Sequence, residues 1–178
     1  MAPVAPTNSP APERLAPASL LTGPNLLLDG GFENGGADWQ NSAATGRSVD
    51  GTQFHAGAFG QLILASAAGE NVVYQDVAVI AGRSYAAAAW VFTQDLNDLG
   101  GVVEILWLDS PGLPEVPPPA DLLGTQIIGT LNGTQDWTLV SGTFHAPAGA
   151  VVARVQLRVG LEGDDAGAAW FDEGRSPR

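Results

Sequence analysis

The sequence predicts an all-β fold built as a two-sheet sandwich, and three observations predict it. Short runs rich in β-branched and aromatic residues recur along most of the chain. Pairs such as Ala81-Gly82 and Asn132-Gly133 separate these runs as turns. The 23 glycines and 13 prolines favour many tight turns over long helices. About eight short strands at this spacing are typical of a sandwich.

The predicted strands follow one another at short intervals. They lie at residues 61–64, 72–79, 84–93, 102–108, 126–128, 137–144, 151–159 and 168–171. The four alanines at 86–89 have a high helix propensity. Tyr85 before them and Trp90-Val91 after them instead favour a strand with small residues on one face. We therefore predict a strand there.

The two ends of the predicted domain carry matching acidic motifs. Residues 25–33 read Asn-Leu-Leu-Leu-Asp-Gly-Gly-Phe-Glu, in which the leucines predict a short buried first strand and Asp-Gly-Gly a turn. Residues 169–173 read Ala-Trp-Phe-Asp-Glu. We expect the two ends to be tied together, either by neighbouring strands or by a shared cation.

Two proline-rich segments accompany the predicted domain, which spans residues 25–173. Residues 1–24 contain six prolines and predict an extended arm, because they cannot bury enough apolar surface to fold alone. Residues 110–120 contain five prolines and predict a stiff loop that protrudes between strands, as a solvated spacer or a docking loop. Residues 174–178 form a short tail.

The charge pattern limits the partners. Nineteen acidic residues face seven arginines, and the formal net charge is −12. Nucleic acid and anionic membranes are not expected as partners, because both require a basic surface. Divalent cations, glycans and proteins are compatible. The chain has no cysteine, which excludes disulfides and thiolate metal sites. Its start lacks the features of a signal peptide, so the sequence leaves localisation open.

Alternation along the strands sorts side chains into two sets, because successive residues point to opposite faces. The inward set is Tyr85, Ala87, Ala89, Val91, Val103, Ile105, Trp107, Val155, Leu157 and Val159. The outward set is Ala86, Ala88, Trp90, Phe92, Glu104, Leu106, Leu108, Arg154, Gln156 and Arg158. A register error of one residue would exchange the two sets.

Several motifs occur in an order that resembles one family. They are the 25–33 motif followed by Trp39, His55-Ala-Gly ahead of residues 61–64, Val-Tyr-Gln-Asp-Val at 73–77, Tyr-Ala-Ala-Ala-Ala-Trp-Val at 85–91, Asp-Trp-Thr-Leu-Val-Ser-Gly-Thr-Phe at 136–144 and the 169–173 motif. Together they resemble the carbohydrate-binding modules of the family 4/9/22 type, which have a galactose-binding-like β-jelly roll. The resemblance spans residues 25–173 and implies that fold; it is not specific for sugar binding, since the fold hosts many roles.

The resemblance implies a glycan site on an outward, concave sheet face. Aromatic rings would stack on the C–H faces of sugars, and carboxylate, amide and guanidinium groups would bind hydroxyls. The residues of suitable type in this chain are Trp90, Phe92, Glu104, Gln156 and Arg158, with Gln75 as a neighbour.

The resemblance also implies a structural calcium site that joins the two ends. Calcium takes about six to eight oxygen ligands and accepts flexible loops. The implied ligands are the carboxylates of Glu33 and Asp172, the backbone oxygens of Gly31 and His55, and Asp50 or Thr52 to complete the set. The alternative is that Glu33 and Asp172 are solvated strand ends.

The sequence contains no nucleophile–base pair and no phosphate-binding loop, so we expect binding without catalysis. Two functions remain open. The first is a carbohydrate-binding module. The second is a structural or assembly protein, such as a phage virion decoration or tail-surface protein whose proline-rich arm straps a neighbouring subunit. An exposed apolar patch of Trp90, Phe92, Leu106 and Leu108 would favour the second, because such patches mark protein interfaces.

Overall fold

The computed structural model describes residues 24–41, 46–65, 71–159 and 167–175, so the proline-rich arm of residues 1–23 lies outside the described part. The described residues form eight strands and contain no helix, hence none that could cross a membrane. The strands are β1 (Gln40–Asn41), β2 (Arg47–Asp50), β3 (Gly60–Leu64), β4 (Asn71–Ala78), β5 (Ser84–Leu108), β6 (Leu122–His145), β7 (Val152–Val159) and β8 (Ala168–Arg175).

The strands form one antiparallel sheet that is folded into two layers. The strand order is β1-β4-β7-β5-β8-β3-β2, and β6 pairs with β5. Strand β5 pairs with β7 through residues 101–108 and with β8 through residues 88–94. Layer A comprises β1, β4, β7 and residues 101–108 of β5; layer B comprises β2, β3, β8 and residues 84–96 of β5. The predicted all-β sandwich is confirmed.

A bend carries β5 from one layer to the other. The pairing of β5 with β6 shifts register between Thr93 and Leu96 and again between Leu96 and Gly101. Gly100 has a φ of 61°, and a Cβ there would lie 2.3 Å from the Leu131 carbonyl oxygen. Only glycine fits this close approach of two strands. The predicted strands 84–93 and 102–108 are therefore two halves of one bent strand.

The core lies between the layers and takes alternate residues from β5 and β7. Every member of the inward set predicted from alternation is buried in this one cluster, which confirms the assigned phase of β5 and β7. Phe32 and Phe171, from the two acidic end motifs, are fully buried in the same cluster. The outward residues Leu106 and Leu108 join a second, smaller cluster on the outer surface of layer A.

The predicted first strand at 25–28 does not form. Only Leu27 of the three leucines is buried, and Leu28 is 60% exposed. The Gln75 side chain accepts from the Leu28 N–H at 2.8 Å and donates to its carbonyl at 2.9 Å. A side-chain amide thus satisfies the backbone polar groups that a neighbouring strand would satisfy.

The buried Phe171 side chain provides a test of the core. Truncation in Phe171→Ala removes a fully buried ring and should lower the free energy of unfolding by about 3–5 kcal/mol. Phe59, which is 41% exposed, is the matched control, and Phe59→Ala should cost much less. Urea unfolding followed by tryptophan fluorescence measures both values; equal losses would contradict the described core.

Candidate functional site

The aromatic and polar residues predicted to share one face lie on the outer surfaces of different layers. Trp90 pairs with Asp172 and Phe92 with Trp170, both in layer B. Glu104 pairs with Gln156 in layer A. The core lies between the two groups, so the structure does not bring them together. The reason is the bend of β5, which places residues 90 and 104 of one strand in different layers.

A line of polar side chains crosses the outer surface of layer A. The strand register sets Gln40 of β1, Tyr74 of β4, Gln156 of β7 and Glu104 of β5 side by side, and we call these four residues the polar row. The Tyr74 hydroxyl donates to Gln40 Oε1 at 3.0 Å. With strands about 4.8 Å apart, the row is about 14 Å long. Tyr74, Gln156 and Glu104 are only 5–6% exposed, so the row is recessed.

Arg158 fixes the carboxylate of the polar row. Its Nε donates to Glu104 Oε1 at 2.8 Å and its Nη2 to Glu104 Oε2 at 3.3 Å. Because the carboxylate is nearly buried, this two-point, charge-assisted contact holds it in one orientation. Three of the residues predicted for a glycan site, Glu104, Gln156 and Arg158, are therefore in contact or adjacent on one surface.

Gln75 lies on the opposite side of layer A from these residues. It pairs with the core residue Val155, and its amide binds Leu28 and the Asp38 carbonyl, so its predicted place beside Gln156 is wrong. Tyr74 occupies that place instead. In β4, apolar residues occur at both odd and even positions, so alternation does not show which side chains point outward. The available signal was the charge of Asp76, which shares its parity with Tyr74 and favours the outer surface.

The proline-rich loop between β5 and β6, residues 109–121, lies along one side of the polar row. Its Leu113 packs on the small cluster of Leu106, Leu108 and Val152. The Asp109 N–H donates to the Asp121 carbonyl at 3.2 Å at the base of the loop. The loop packs back on the sheet instead of protruding freely as expected, because Leu106 and Leu108 form an apolar surface on layer A that is buried beneath Leu113.

Arg154 holds this loop in place, and sequence reasoning missed that role. The side chain is fully buried, and its guanidinium lies 4.2 Å from the Tyr74 ring centre. Its Nε and Nη2 donate to both Asp76 carboxylate oxygens, at 2.6 and 2.9 Å. Its remaining N–H groups donate to the carbonyls of Leu113, Pro114 and Glu115, at 2.9, 2.5 and 3.0 Å. All five guanidinium donors therefore have acceptors.

Arg47 and Glu115 lie at the β4 end of the polar row. Arg47 reaches from β2 to donate to the Val72 carbonyl at 2.7 Å. Burial is the main cause that raises the pKa of Tyr74, and the charge of Glu115 adds to it. Burial lowers the pKa of Arg47, and Glu115 opposes that effect. The Glu115 carbonyl accepts from Arg154, whose guanidinium lies over the Tyr74 ring, so the backbone of the loop passes close to Tyr74.

An aromatic cluster occupies the outer surface of layer B. It consists of His55, Trp90, Phe92, Trp137 and Trp170. The His55 ring stacks on Trp90 with 3.8 Å between ring centres, and Trp137 contacts both His55 and Phe92 at 5.8 Å. Because the imidazole covers one face of Trp90, less of that ring remains for a ligand than the sequence predicts.

The two acidic end motifs meet at one loop, residues 51–59. Asp172 Oδ2 accepts from the N–H groups of His55 and Ala56 at 2.7 and 2.9 Å. Glu33 Oε1 accepts from Ala58 and Phe59 at 2.8 and 3.1 Å. Burial raises the pKa of Asp172, and the N–H groups of Ala56, Glu173 and His55 oppose the rise. The two ends are thus tied together through hydrogen bonds to a shared loop and not as neighbouring strands, while the shared cation stays a prediction.

The implied calcium ligands fit only in part. Glu33 and Asp172 converge as carboxylates, and Gly31 lies beside Asp172 Oδ1, but a cation would compete with the N–H groups that they accept. Asp50 instead accepts hydrogen bonds from Thr52 and from Trp170 Nε1. Burial alone would raise the pKa of Asp50, but these hydrogen bonds outweigh burial and the pKa is lowered. The His55 side chain binds Glu173 at 3.0 Å. Among the described residues, no three His, Asp or Glu side chains cluster as metal ligands. The calcium site stays a prediction.

A small cavity lies near the edge where Arg47 crosses between the layers. It has a volume of about 110 Å³ and is lined by residues that include Gly36, Trp39, Arg47 and Gln61. This is well below the roughly 300 Å³ at which ligand pockets begin. The cavity is large enough for a few waters and too small for a sugar residue.

Comparisons with known proteins identify the fold. Neither a protein-family model nor a curated protein sequence matches this chain. Among solved structures, a family 16 carbohydrate-binding module is 20% identical with a TM-score of 0.65, over 85% of this chain and 99% of that chain. A family 61 module in complex with β-1,4-galactotriose is 16% identical with a TM-score of 0.58, over 86% of this chain and 98% of that chain.

A phage protein contains the same fold. The enzymatically active domain of tailspike protein 4 from bacteriophage CBA120 is 13% identical with a TM-score of 0.59, over 85% of this chain. The chain corresponds to only 21% of that tailspike chain. At these identities the comparisons establish the fold alone. The jelly roll of carbohydrate-binding modules, which the motif order implied, is confirmed.

Metal removal tests the calcium prediction. Chelation with EDTA should lower the melting temperature, added calcium should restore it, and Asp172→Asn should abolish the response, because the amide removes one charged ligand. Asp38→Asn, which changes an exposed acid elsewhere, should keep the response. If the melting temperature of the unsubstituted protein is the same with EDTA and with calcium, the site does not exist.

Proposed function

We propose that the protein is a non-catalytic module that binds a neutral polysaccharide along the polar row. The observation that carries this proposal is the register that sets Tyr74, Gln156 and Glu104 in one recessed line across three strands. The fold supports it, since similar structures are carbohydrate-binding modules, one of them in complex with β-1,4-galactotriose.

The polar row suits hydroxyl-rich ligands. The Gln156 amide both donates and accepts, the Glu104 carboxylate accepts, and the Arg158 guanidinium donates, which matches the mixed character of sugar hydroxyls. The Glu104–Arg158 contact fixes both groups before a ligand arrives, so little side-chain entropy is lost on binding. Adjacent donors and acceptors at fixed spacing select for the orientation of neighbouring hydroxyls.

The charge of the protein favours neutral glycans over anionic ones. A net charge of −12 repels polysaccharides that carry carboxylates or sulfates. Binding without hydrolysis is also supported, because a glycosidase requires two carboxyl groups at a fixed separation across the scissile bond. Glu104 is the carboxylate of the polar row, and its two oxygens are engaged by one arginine.

Affinity electrophoresis through gels that contain β-1,4-linked galactan, xylan, glucan or mannan tests this function. We expect retention by at least one polysaccharide, and a tenfold or greater loss of affinity in Gln156→Ala and Glu104→Gln, since each removes a hydrogen-bonding group of the row. Gln135→Ala, at an exposed position in β6, is the matched control and should bind normally.

The same experiment discriminates between the two surfaces. Trp90→Ala alters only the aromatic cluster of layer B, so retention should persist if the polar row is the site. Loss of retention in Trp90→Ala together with normal binding by Gln156→Ala would move the site to layer B. Absence of retention on every glycan would contradict the function itself.

An assembly role is the second candidate, supported by two observations. A phage tailspike contains the same fold. The outer surface of layer B also presents half-buried aromatic rings. Phe54 and Phe59, which lie close to His55 in the sequence, are each 41% exposed. Aromatic residues are enriched at the centres of protein interfaces. The apolar patch expected from the sequence is nevertheless divided, because Leu106 and Leu108 lie in layer A under the proline-rich loop.

Removal of residues 1–24 tests the assembly role. If the arm straps a neighbouring subunit, the full chain should form an oligomer at micromolar concentration and the truncated chain should be monomeric. Sedimentation velocity measures both, with a full-length variant in which the arm prolines are replaced by alanine as the control for composition. Identical sedimentation of full and truncated chains would contradict this role.

A further inference from the structure

The second half of β6 extends layer B and leaves it with an unpaired edge. Within the described ranges, β6 pairs with β5 alone, so its other side has no strand beside it. Residues 138–145 of β6 pair with residues 84–91 of β5 without any shift of register. These consecutive residues therefore present alternate backbone N–H and carbonyl groups away from the sheet, along about 27 Å. We call residues 138–145 the free edge.

The other edges of the sheet, among the described residues, are short, charged or irregular. In layer A, β1 has two residues, and Asp76 lies in the part of β4 that extends past it. In layer B, the outermost strand β2 has four residues, which begin with Arg47 and end with Asp50. The first half of β6 borders layer A, and its pairing with residues 101–108 of β5 shifts register twice. Shortness, charge and bulges keep a sheet edge from pairing with another chain.

The free edge has none of these devices. It reads Thr-Leu-Val-Ser-Gly-Thr-Phe-His, without proline, carboxylate, lysine or arginine, in a chain that has 19 acidic residues. Thr138, Ser141, Thr143 and His145 are exposed along it, and Val140 is buried in the core. Threonine, valine and phenylalanine favour strands. The edge is therefore open to a partner strand.

We propose that the free edge pairs antiparallel with the free edge of a second copy of this chain, which joins layer B of both copies into one continuous sheet. A two-fold axis perpendicular to the sheet reverses the strand direction and keeps each outer surface on its own side. Residues that lie opposite each other then share a face of the sheet, so the axes that align most of the edge pass at Ser141 or Gly142. Both polar rows of such a dimer face the same side.

Both alignments bring compatible side chains together. With the axis at Gly142, Val140 lies opposite Phe144 on the inner face, where both residues already pack on the core. Ser141 then lies opposite Thr143 on the outer face. With the axis at Ser141, the serines of the two copies meet. Like charges opposite each other destabilise a strand pair, and neither alignment sets two carboxylates or two guanidinium groups of the edge together.

The features of the edge select a second copy over other occupants. The arm of residues 1–24 contains six prolines, which lack the N–H that a partner strand donates. A basic peptide would bind the acidic surface elsewhere, since the free edge offers it no carboxylate. The interface is small and each copy carries a net charge of −12. We therefore expect a weak dimer, with a micromolar dissociation constant, that salt strengthens by screening the repulsion.

Sedimentation velocity over a micromolar concentration series tests the dimer. Ser141→Lys/Thr143→Lys sets lysines of the two copies opposite each other in either alignment, so the dissociation constant should increase at least tenfold. The matched control is Thr125→Lys/Thr130→Lys, at exposed positions in the first half of β6, which changes the net charge equally and should dimerise at least as well as the unsubstituted protein. All four substituted residues are exposed, so both variants should keep the melting temperature.

Three sedimentation results would overturn the proposal. The first is an unsubstituted protein that stays monomeric at submillimolar concentration in about 0.5 M sodium chloride, where repulsion between the copies is screened. The second is equal weakening in both double variants, because charge and not position would then be the cause. The third is loss of the dimer when residues 1–24 are removed, since pairing at the free edge does not use the arm.

Crosslinking tests the position of the contact independently. The chain has no cysteine, so one introduced thiol gives a single reactive position. Opposite and diagonal residues of two antiparallel strands lie about 5–8 Å apart, so a short bismaleimide should join Ser141→Cys of the two copies in either alignment. Thr125→Cys, on the same strand outside the free edge, is the control and should remain monomeric on a denaturing gel. Equal yields of covalent dimer from the two variants would overturn the proposed pairing.

Discussion

The bend in β5 is the constraint on which both outer surfaces of the protein depend. A single strand of 25 residues belongs first to layer B and then to layer A, with Gly100 at the point where a side chain would collide with β6. Alternation persists on both sides of the bend, so Val91 and Val103 face the same core. Their outward neighbours, Trp90 and Glu104, consequently diverge to opposite sides. A straight strand would have aligned them on one surface.

Much of the fold was predictable because it depends on local pattern. Turn residues separated the strands, and alternation assigned the inward side chains of β5 and β7, which the core confirms. The leucines at 26–28 were misleading, since a strand needs a partner and here Gln75 takes that role from a distant position. The position of the proline-rich loop was also unpredictable. It depends on Arg154 meeting three carbonyls about forty positions away, and no short-range pattern encodes that contact.

The sequence predicted which kinds of side chain form the candidate site, but it did not identify every residue that belongs to the site. Glu104, Gln156 and Arg158 were identified because they share parity on strands with an unambiguous apolar face. Tyr74 was missed because β4 has apolar residues at both parities, and the one-residue ambiguity selected Gln75 instead. Trp90 and Phe92 had the correct outward phase but lie on the other layer. Parity assigns a side chain to the inside or outside of its sheet, and only the tertiary path of the chain decides which outside surface that is.

The saturation of Arg154 has a consequence for the rate of ligand capture. An arginine with five satisfied donors, buried between a carboxylate, an aromatic ring and three carbonyls, leaves the loop little freedom to open and close. The proline-rich loop therefore lies beside the polar row before a ligand arrives, and encounter does not have to wait for a conformational step. Such a site would associate at a rate set by diffusion and orientation, and differences in affinity among ligands would reside in how fast each one departs.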